Sequence, residues 1–174
     1  MIIPRRIRWL WLTLGVVFLD RASKAWIESR PENYFPHAVI ANVVNLVSSR
    51  NPGIAFSFLA GYPAFTVRVV LIAVSLIIIA FIAWLLVASR SGGALQAAGL
   101  ALLLAGATGN VTDRILHGAV TDFVEVWLRF IPLRIFHPWP AFNVADSAIT
   151  VGAFLIILEI LFGRQRARAS IERR

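Results

Sequence analysis

The sequence contains no cysteine, which excludes disulfide bonds, thiolate catalysis and metal sites built on cysteine. Charged residues are also scarce: they make up 15% of the 174 residues, whereas soluble domains carry about a quarter. Hydrophobic residues account for 59%, and many of them fall in long uncharged runs, which are typical of bilayer spans. We therefore predict an integral membrane protein, and the length suits one domain, residues 1–174.

Histidine is nearly as rare, and the three that are present do not have the spacing of metal ligands; they are His37, His117 and His137. The serines lie in no nucleophile elbow. The sequence therefore disfavours both a Ser/His catalytic site and a His-based metal site.

The net charge of +8 comes largely from arginines that flank the hydrophobic runs. Arg5, Arg6 and Arg8 precede the first run, and five arginines follow the last one. Such clusters set membrane topology more often than they bind a polymer, so we predict no nucleic-acid partner. We assign both basic tails to the cytoplasm, which puts the two long connections between spans on the outer face.

The hydrophobic pattern predicts an all-α membrane protein with a small β element. Four transmembrane helices are expected, at about residues 7–27, 65–88, 94–112 and 141–162. Glycines at positions 99, 106 and 109 of the third span allow close contact with a neighbouring helix.

The first long connection, residues 28–64, contains four prolines and is not a membrane helix. Its β-branched stretch Val39–Val47 predicts a strand, and Ile54–Leu59 follows as a second. Arg50–Gly53 between them is a turn signal, as is the segment 89–93 between the second and third spans. We expect a small sheet at the membrane surface.

Acidic residues lie at or near the ends of the predicted spans, where a carboxylate is costly unless it is paired, hydrated or used. Asp20 and Lys24 are four residues apart with the acid first, the favourable order for an ion pair on one helical face. Three further acids, Asp113, Asp122 and Asp146, lie between the third and fourth spans or at their ends. Their presence there is a functional hypothesis in itself.

Two of these acids suit a catalytic pair. Asn143 is placed as the N-cap of the last helix, with Asp146 in its first turn, where the helix N-terminus stabilises an ionised carboxylate. Asp122 lies in an apolar, strand-like stretch. If the fold brings the two acids within a few ångströms, they share a proton, and one deprotonates water while the other protonates the carbonyl or leaving amine. Peptide hydrolysis by such a pair needs no cofactor.

Other interpretations of the same acids stay open at this point. Asp113, Asp122 and Asp146 offer the oxygen ligands that Mg²⁺ or Ca²⁺ prefers. A small ion- or proton-coupled transporter could use them as an ion site, although none lies in the middle of a span. In a non-catalytic assembly protein they would only cap helices.

Five short motifs occur along the chain, each weak alone but specific in combination. They are DRASK at 20–24, RNPGIAFS at 50–57, GNVTDR at 109–114, VTDF at 120–123 and FNVADS at 142–147. In this order, between four predicted spans, they resemble the lipoprotein signal peptidase family, also called signal peptidase II. The resemblance covers nearly the whole chain between the tails.

This resemblance implies an aspartic endopeptidase of the bacterial inner membrane. It implies cleavage of diacylglyceryl-modified prolipoproteins just before the lipidated cysteine, in a site that faces the periplasm, and inhibition by globomycin. On the matched positions, Asp122 and Asp146 form the catalytic pair, while Asn51, Asn110 and Asn143 donate hydrogen bonds around the pair and the substrate.

The resemblance also implies supporting roles and partners. Asp113 and Arg114 would form an ion pair, with Arg114 also near the substrate, and Asp20 and Lys24 would anchor the outer end of the first span. Arg21 departs from the family pattern, which often has glutamine there. The run 126–140 matches no motif and would be a lid or interfacial loop. Membrane lipid and the lipidated substrate are the expected partners of a monomer that binds no metal.

Overall fold

The chain folds into long helices with a small antiparallel sheet at one end. This computed structural model describes residues 7–53, 63–88, 93–128 and 137–172, with side chains up to residue 162. The helices in these ranges are α1 (Leu10–Glu28), α2 (Ala64–Ala88), α3 (Ala94–His117) and α4 (Val144–Glu172), and a 3₁₀ turn (Ile7–Trp9) precedes α1.

Three helical segments in the described ranges are long and apolar enough to cross a membrane: α2, α3 and Val144–Phe162 of α4. The most apolar is α2, with a mean hydropathy of 3.2. By contrast, α1 has 19 residues and carries Asp20, Arg21 and Lys24 in its second half. The chain is thus a multi-pass membrane protein, and a span formed by α1 stays a prediction.

The C-terminal end of α3 and the N-terminal end of α4 differ from the bounds predicted from the sequence. α3 runs on to His117 rather than ending near 112, because Asp113 finds its charged partners Arg21 and Lys24 inside the fold. It ends at Gly118, whose φ of 80° is left-handed and whose N–H bonds to the Arg114 carbonyl at 3.2 Å. α4 begins at Val144 rather than 141 because residues 139–142 form a strand.

The central helix is α3. Half of its span is buried, against 11% for α2 and 17% for α4. A Cβ on Gly99 would lie 2.7 Å from the Gly152 carbonyl, and one on Gly106 would overlap the Ala145 carbonyl, so the backbones of α3 and α4 pack directly. This confirms the predicted close helix contact, and it brings the start of α4 against the middle of α3.

The sheet has four antiparallel strands in chain order: β1 (His37–Ile40), β2 (Val44–Asn51), β3 (Val120–Val126) and β4 (Trp139–Phe142). The prediction of one strand over Val39–Val47 is wrong. The chain reverses between β1 and β2, where Asn42 adopts a φ of 63°, a conformation that asparagine tolerates better than most residues. The predicted strand Ile54–Leu59 lies outside the described residues.

The register of β2 and β3 sets polar residues of the two strands at defined positions. Ser49 pairs with Asp122 and Asn51 pairs with Val120, after a bulge that gives β2 one extra residue beyond Leu46. β2 leads towards α2, and β3 follows α3. The sheet therefore lies at the end of the bundle where α1 and α3 finish and α4 begins.

Candidate active site

Asp122 lies on β3 with only 4% of its surface exposed. Its carboxylate accepts a hydrogen bond from the Asn51 amide at 3.2 Å and one from the Asn143 amide at 2.7 Å. Asn51 reaches it from the neighbouring strand, while Asn143 comes from the residue before α4. Asp122 is thus a nearly buried acid held by two neutral donors.

Asp146 lies in the first turn of α4, and its partner is the N-cap residue Asn143. The Asp146 N–H donates to Asn143 Oδ1 at 2.9 Å, and the Asn143 N–H donates to Asp146 Oδ2 at 3.2 Å. This reciprocal pair is a capping box with aspartate in the usual place of glutamate. The other carboxylate oxygen accepts a hydrogen bond from the Asn110 amide of α3 at 2.7 Å.

Asn143 joins the two acids, since its side chain bonds to Asp122 and its peptide N–H to Asp146. Burial is the main cause that raises the pKa of Asp122, and the nearby charge of Asp146 acts in the same direction; the net pKa is raised from 3.8 to about 6. The hydrogen bonds from Asn51 and Asn143 and the charge of Lys24 act in the opposite direction. The two acids therefore interact electrostatically, and the raised pKa of Asp122 favours its protonated form.

A buried charge cluster lies behind the two acids. The ammonium of Lys24 is 2.8 Å from Asp20 Oδ2 and 2.7 Å from Asp113 Oδ2, and all three side chains are fully buried or nearly so. Arg21 binds the other oxygen of Asp113. The pair Asp20–Lys24 is formed as the helical spacing predicts, whereas the predicted ion pair of Asp113 with Arg114 is wrong, because Lys24 and Arg21 take the Asp113 carboxylate.

Arg114 instead turns towards Asn110, and its Nη1 donates to the Asn110 carbonyl at 3.3 Å. Its Nε is buried without a hydrogen-bond partner among the described residues. A cleft of about 260 Å³ opens beside these two residues, and it is otherwise lined by side chains of α2, α3 and α4 such as Ile82, Leu103 and Ile149. Arg114 therefore brings a positive charge and a free donor to a mainly apolar cleft.

A second cleft, of about 390 Å³, lies on the other side of Asp146 between β4 and α4. Trp139, Phe142, Thr150 and Val151 contribute to its lining. Asp146 thus contributes to one of two clefts with largely apolar walls, and its hydrogen-bond partner Asn110 contributes to the other.

The described residues do not bring three acids or histidines together as ligands for a metal ion. Asp113 faces Lys24 and Arg21 rather than Asp122 and Asp146. The three-acid ion site considered from the sequence therefore does not assemble in this part of the chain.

Some contributors were missed from the sequence. Thr121 donates its hydroxyl to Glu28 at 2.7 Å, and its N–H lies 3.5 Å from Asp113 Oδ2. Arg21 had a usable signal, since it is a basic residue beside the predicted Asp20–Lys24 pair. No local sequence signal indicated the contact between Thr121 and Glu28, because the two residues are 93 positions apart.

Comparison with known proteins gives one consistent result. The family model for signal peptidase (SPase) II matches residues 12–162. A lipoprotein signal peptidase of Xanthomonas campestris is 37% identical over 95% of both chains, and one of Pseudomonas fluorescens is 38% identical over 94% of this chain and 93% of the relative.

A solved bacterial membrane enzyme, determined by the in meso method at 1.9 Å resolution, gives the same answer for the fold. It is 28% identical, covers 88% of this chain and 92% of its own, and superposes with a TM-score of 0.74. The family resemblance of the five motifs is confirmed: the chain belongs to the signal peptidase II family.

Proposed function

We propose that Asp122 and Asp146 are the catalytic pair of this membrane aspartic peptidase, which removes signal peptides from prolipoproteins. The family and its named relatives carry the assignment of activity and substrate class. The observation that supports the pair is their shared partner Asn143, together with the raised pKa of Asp122. A transporter that uses the same acids receives no support from these relatives.

The roles of the two acids follow from their surroundings. Asp122, whose pKa is raised to about 6, holds the proton and donates it to the carbonyl oxygen of the scissile bond. Asp146 sits at the N-terminus of α4, where negative charge is stabilised, and it takes a proton from the attacking water. That proton then passes to the leaving amine as the tetrahedral intermediate collapses, while Asp122 takes back a proton from one of the two hydroxyl groups of the intermediate, which leaves a carboxylic acid and returns the pair to its starting state.

The asparagines keep the two carboxylates in the geometry this sequence of transfers needs. Asn51 and Asn143 bind Asp122, and Asn110 and Asn143 bind Asp146. Neutral donors orient a carboxylate without pairing its charge, so Asp122 and Asp146 can exchange one proton between them. Asp20, Lys24 and Asp113 support this arrangement from behind, and Arg114 lies where a substrate in the α2–α4 cleft would reach it.

The finer features of the substrate and its location belong to the same proposal. The apolar clefts beside the acids suit the acyl chains and signal helix of a diacylglyceryl-modified precursor, cut just before the modified cysteine. The basic tails favour cytoplasmic termini, so that four spans would place the sheet and both acids at the periplasmic face of the bacterial inner membrane. The chain acts there as a monomer.

The test is cleavage of a purified lipidated precursor by the full chain in detergent micelles. Asp122→Asn and Asp146→Asn should each lower the rate by about 10³-fold or more, because each removes one of the two proton-transfer groups. Glu32→Gln, which removes an exposed acid near β1, serves as the matched control and should cleave normally. Cleavage within tenfold of the unaltered chain by either aspartate variant would refute the pair.

Two further arms test the substrate. The same precursor without its diacylglyceryl group should be cut far more slowly than the lipidated one. Globomycin should inhibit cleavage of the lipidated precursor. Equal rates on the two precursors would refute the proposed lipid recognition while leaving the catalytic pair intact.

A further inference from the structure

Thr121 is a buried residue whose polar groups are bound from three parts of the helix bundle. Only 1% of its surface is exposed. Its N–H lies 3.5 Å from Asp113 Oδ2 of α3, and its carbonyl oxygen lies 3.3 Å from the side-chain nitrogen of Asn143, just before α4. Its hydroxyl donates to Oε1 of Glu28, the last residue of α1, at 2.7 Å. The position of Thr121 therefore depends on α1 as well as on α3 and α4.

Thr121 is joined directly to the proposed catalytic pair. It precedes Asp122 on β3, and successive residues of a strand point to opposite faces, so its side chain faces Glu28 while the Asp122 carboxylate faces the site. The Asn143 nitrogen that contacts the Thr121 carbonyl also donates to Asp122 Oδ1 at 2.7 Å. A displacement of Thr121 would therefore move both the backbone of Asp122 and the amide that links the two acids.

Glu28 supplies an acceptor that the Thr121 hydroxyl needs. A buried hydroxyl without a hydrogen-bond partner is unfavourable, and the β-branched side chain of threonine has few rotamers in which to search for another. Glu28 depends less on this contact, because 23% of its side chain is exposed and Arg50 Nη2 lies 3.9 Å from the same oxygen. Loss of the Glu28 carboxylate would therefore be felt mainly at Thr121, as a shift of β3.

We propose that Glu28 is a positioning residue for the reaction: by accepting the Thr121 hydroxyl, it holds β3 where Asp122 meets Asn143. The inference rests on the proposed catalytic pair and adds to it a residue outside the five motifs. Because Glu28 acts from the face of β3 opposite the acids, its removal should affect the chemical step and leave substrate binding unchanged.

The first experiment compares Glu28→Leu, Glu28→Gln and the exposed control Glu32→Leu in the full chain, with cleavage of a lipidated precursor as the assay. Glu28→Leu should lower kcat by about tenfold with KM within about twofold, since even a displacement of about 1 Å can cost a hundredfold. Glu28→Gln keeps an acceptor oxygen and should recover most of the loss, and Glu32→Leu should match the unaltered chain. A kcat in Glu28→Leu close to that of the unaltered chain, or a loss that appears in KM instead, would overturn the proposal.

A double variant tests whether the effect passes through Thr121. Thr121→Val removes the buried hydroxyl with little change of shape, so Glu28→Leu/Thr121→Val should recover kcat to within about threefold of the unaltered chain. A double variant no better than Glu28→Leu would overturn the proposal. If Glu28→Leu does not fold, the double variant decides alone: recovered folding and cleavage support the role, whereas failure of both to fold contradicts it.

Hydrogen exchange of the backbone provides a readout that does not need activity. In Glu28→Leu, exchange should quicken in the peptides of β3 that contain Thr121 and Asp122 but not in α2. Unchanged exchange in β3 would overturn the positioning role whether or not these acids are the catalytic pair. A failure of this inference is therefore distinguishable from a failure of the proposed function.

Discussion

Replacing Asp122 with asparagine should abolish cleavage and at the same time stabilise the protein, by an amount that depends on pH. A carboxyl whose pKa is higher in the folded state binds its proton more tightly there, so protonation favours folding. The pKa of Asp122 rises from 3.8 to about 6. Its favourable contribution is therefore complete below about pH 4 and is lost as the pH rises through about 6.

The size of the effect follows from that difference. At about 1.36 kcal/mol per pH unit, a rise from 3.8 to about 6 makes the ionised Asp122 cost roughly 3 kcal/mol of folding free energy at pH 8. Asparagine resembles the protonated acid in that it is neutral and has one strong acceptor oxygen, so it keeps one of the two hydrogen bonds that Asn51 and Asn143 donate, and it does not ionise. For a chain of this length, roughly 3 kcal/mol corresponds to about 6–12 °C in Tm.

Thermal unfolding in detergent micelles between pH 4 and pH 8 measures this directly. The Tm difference between Asp122→Asn and the unaltered chain should be small at pH 4 and should grow steadily until about pH 7. Glu32→Gln removes an exposed acid and should show no such trend. A difference that stays constant with pH, or shrinks as the pH rises, would refute the reasoning that burial makes this charge unfavourable.

Three other predictions follow from contacts in the same region. In Gly109→Ala the new Cβ would lie 2.6 Å from Asp20 Oδ2, so unfolding measurements should show a loss of about 1–3 kcal/mol, whereas Gly15→Ala, with nothing within 4 Å, should gain up to about 1 kcal/mol. Lys24→Met leaves the buried acids Asp20 and Asp113 without their shared cation and should lower the free energy of unfolding by about 3–5 kcal/mol in the same assay. A loss below about 1 kcal/mol would show that Lys24 is not energetically coupled to these acids. The kcat/KM for cleavage should fall as the pH rises above about 6, because Asp122 then loses the proton it donates, and a rate that still climbs from pH 6 to pH 8 would contradict this assignment.

The sequence predicted the parts of the fold that depend on local composition. The uninterrupted apolar run of α2 was placed at 65–88, one residue from its observed start at Ala64. The end of α3 was placed too early, at about 112, because the hydrophobic run ends there. Asp113 stays helical because Arg21 and Lys24, far away in the chain, bind its carboxylate, which a local pattern does not record.

The hairpin shows the same limit at a turn. The run Val39–Val47 contains enough β-branched residues for one long strand, and Asn42 was the available sign that the chain reverses inside it. The site depends still more on distant contacts. Asn143 was predictable as an N-cap, but its bond to Asp122 requires that β3, β4 and α4 be neighbours.

The hydrogen bond between Asp20 and the Ala145 N–H joins the first long helix to the last, 125 positions later. During synthesis, a ribosome-bound chain that has not yet produced α4 therefore lacks Asp146. It also lacks the Ala145 N–H that donates to Asp20. The proposed catalytic pair can therefore form only after the first turn of α4 has been synthesised. Until then a nascent chain lacks one of the two proposed proton-transfer groups.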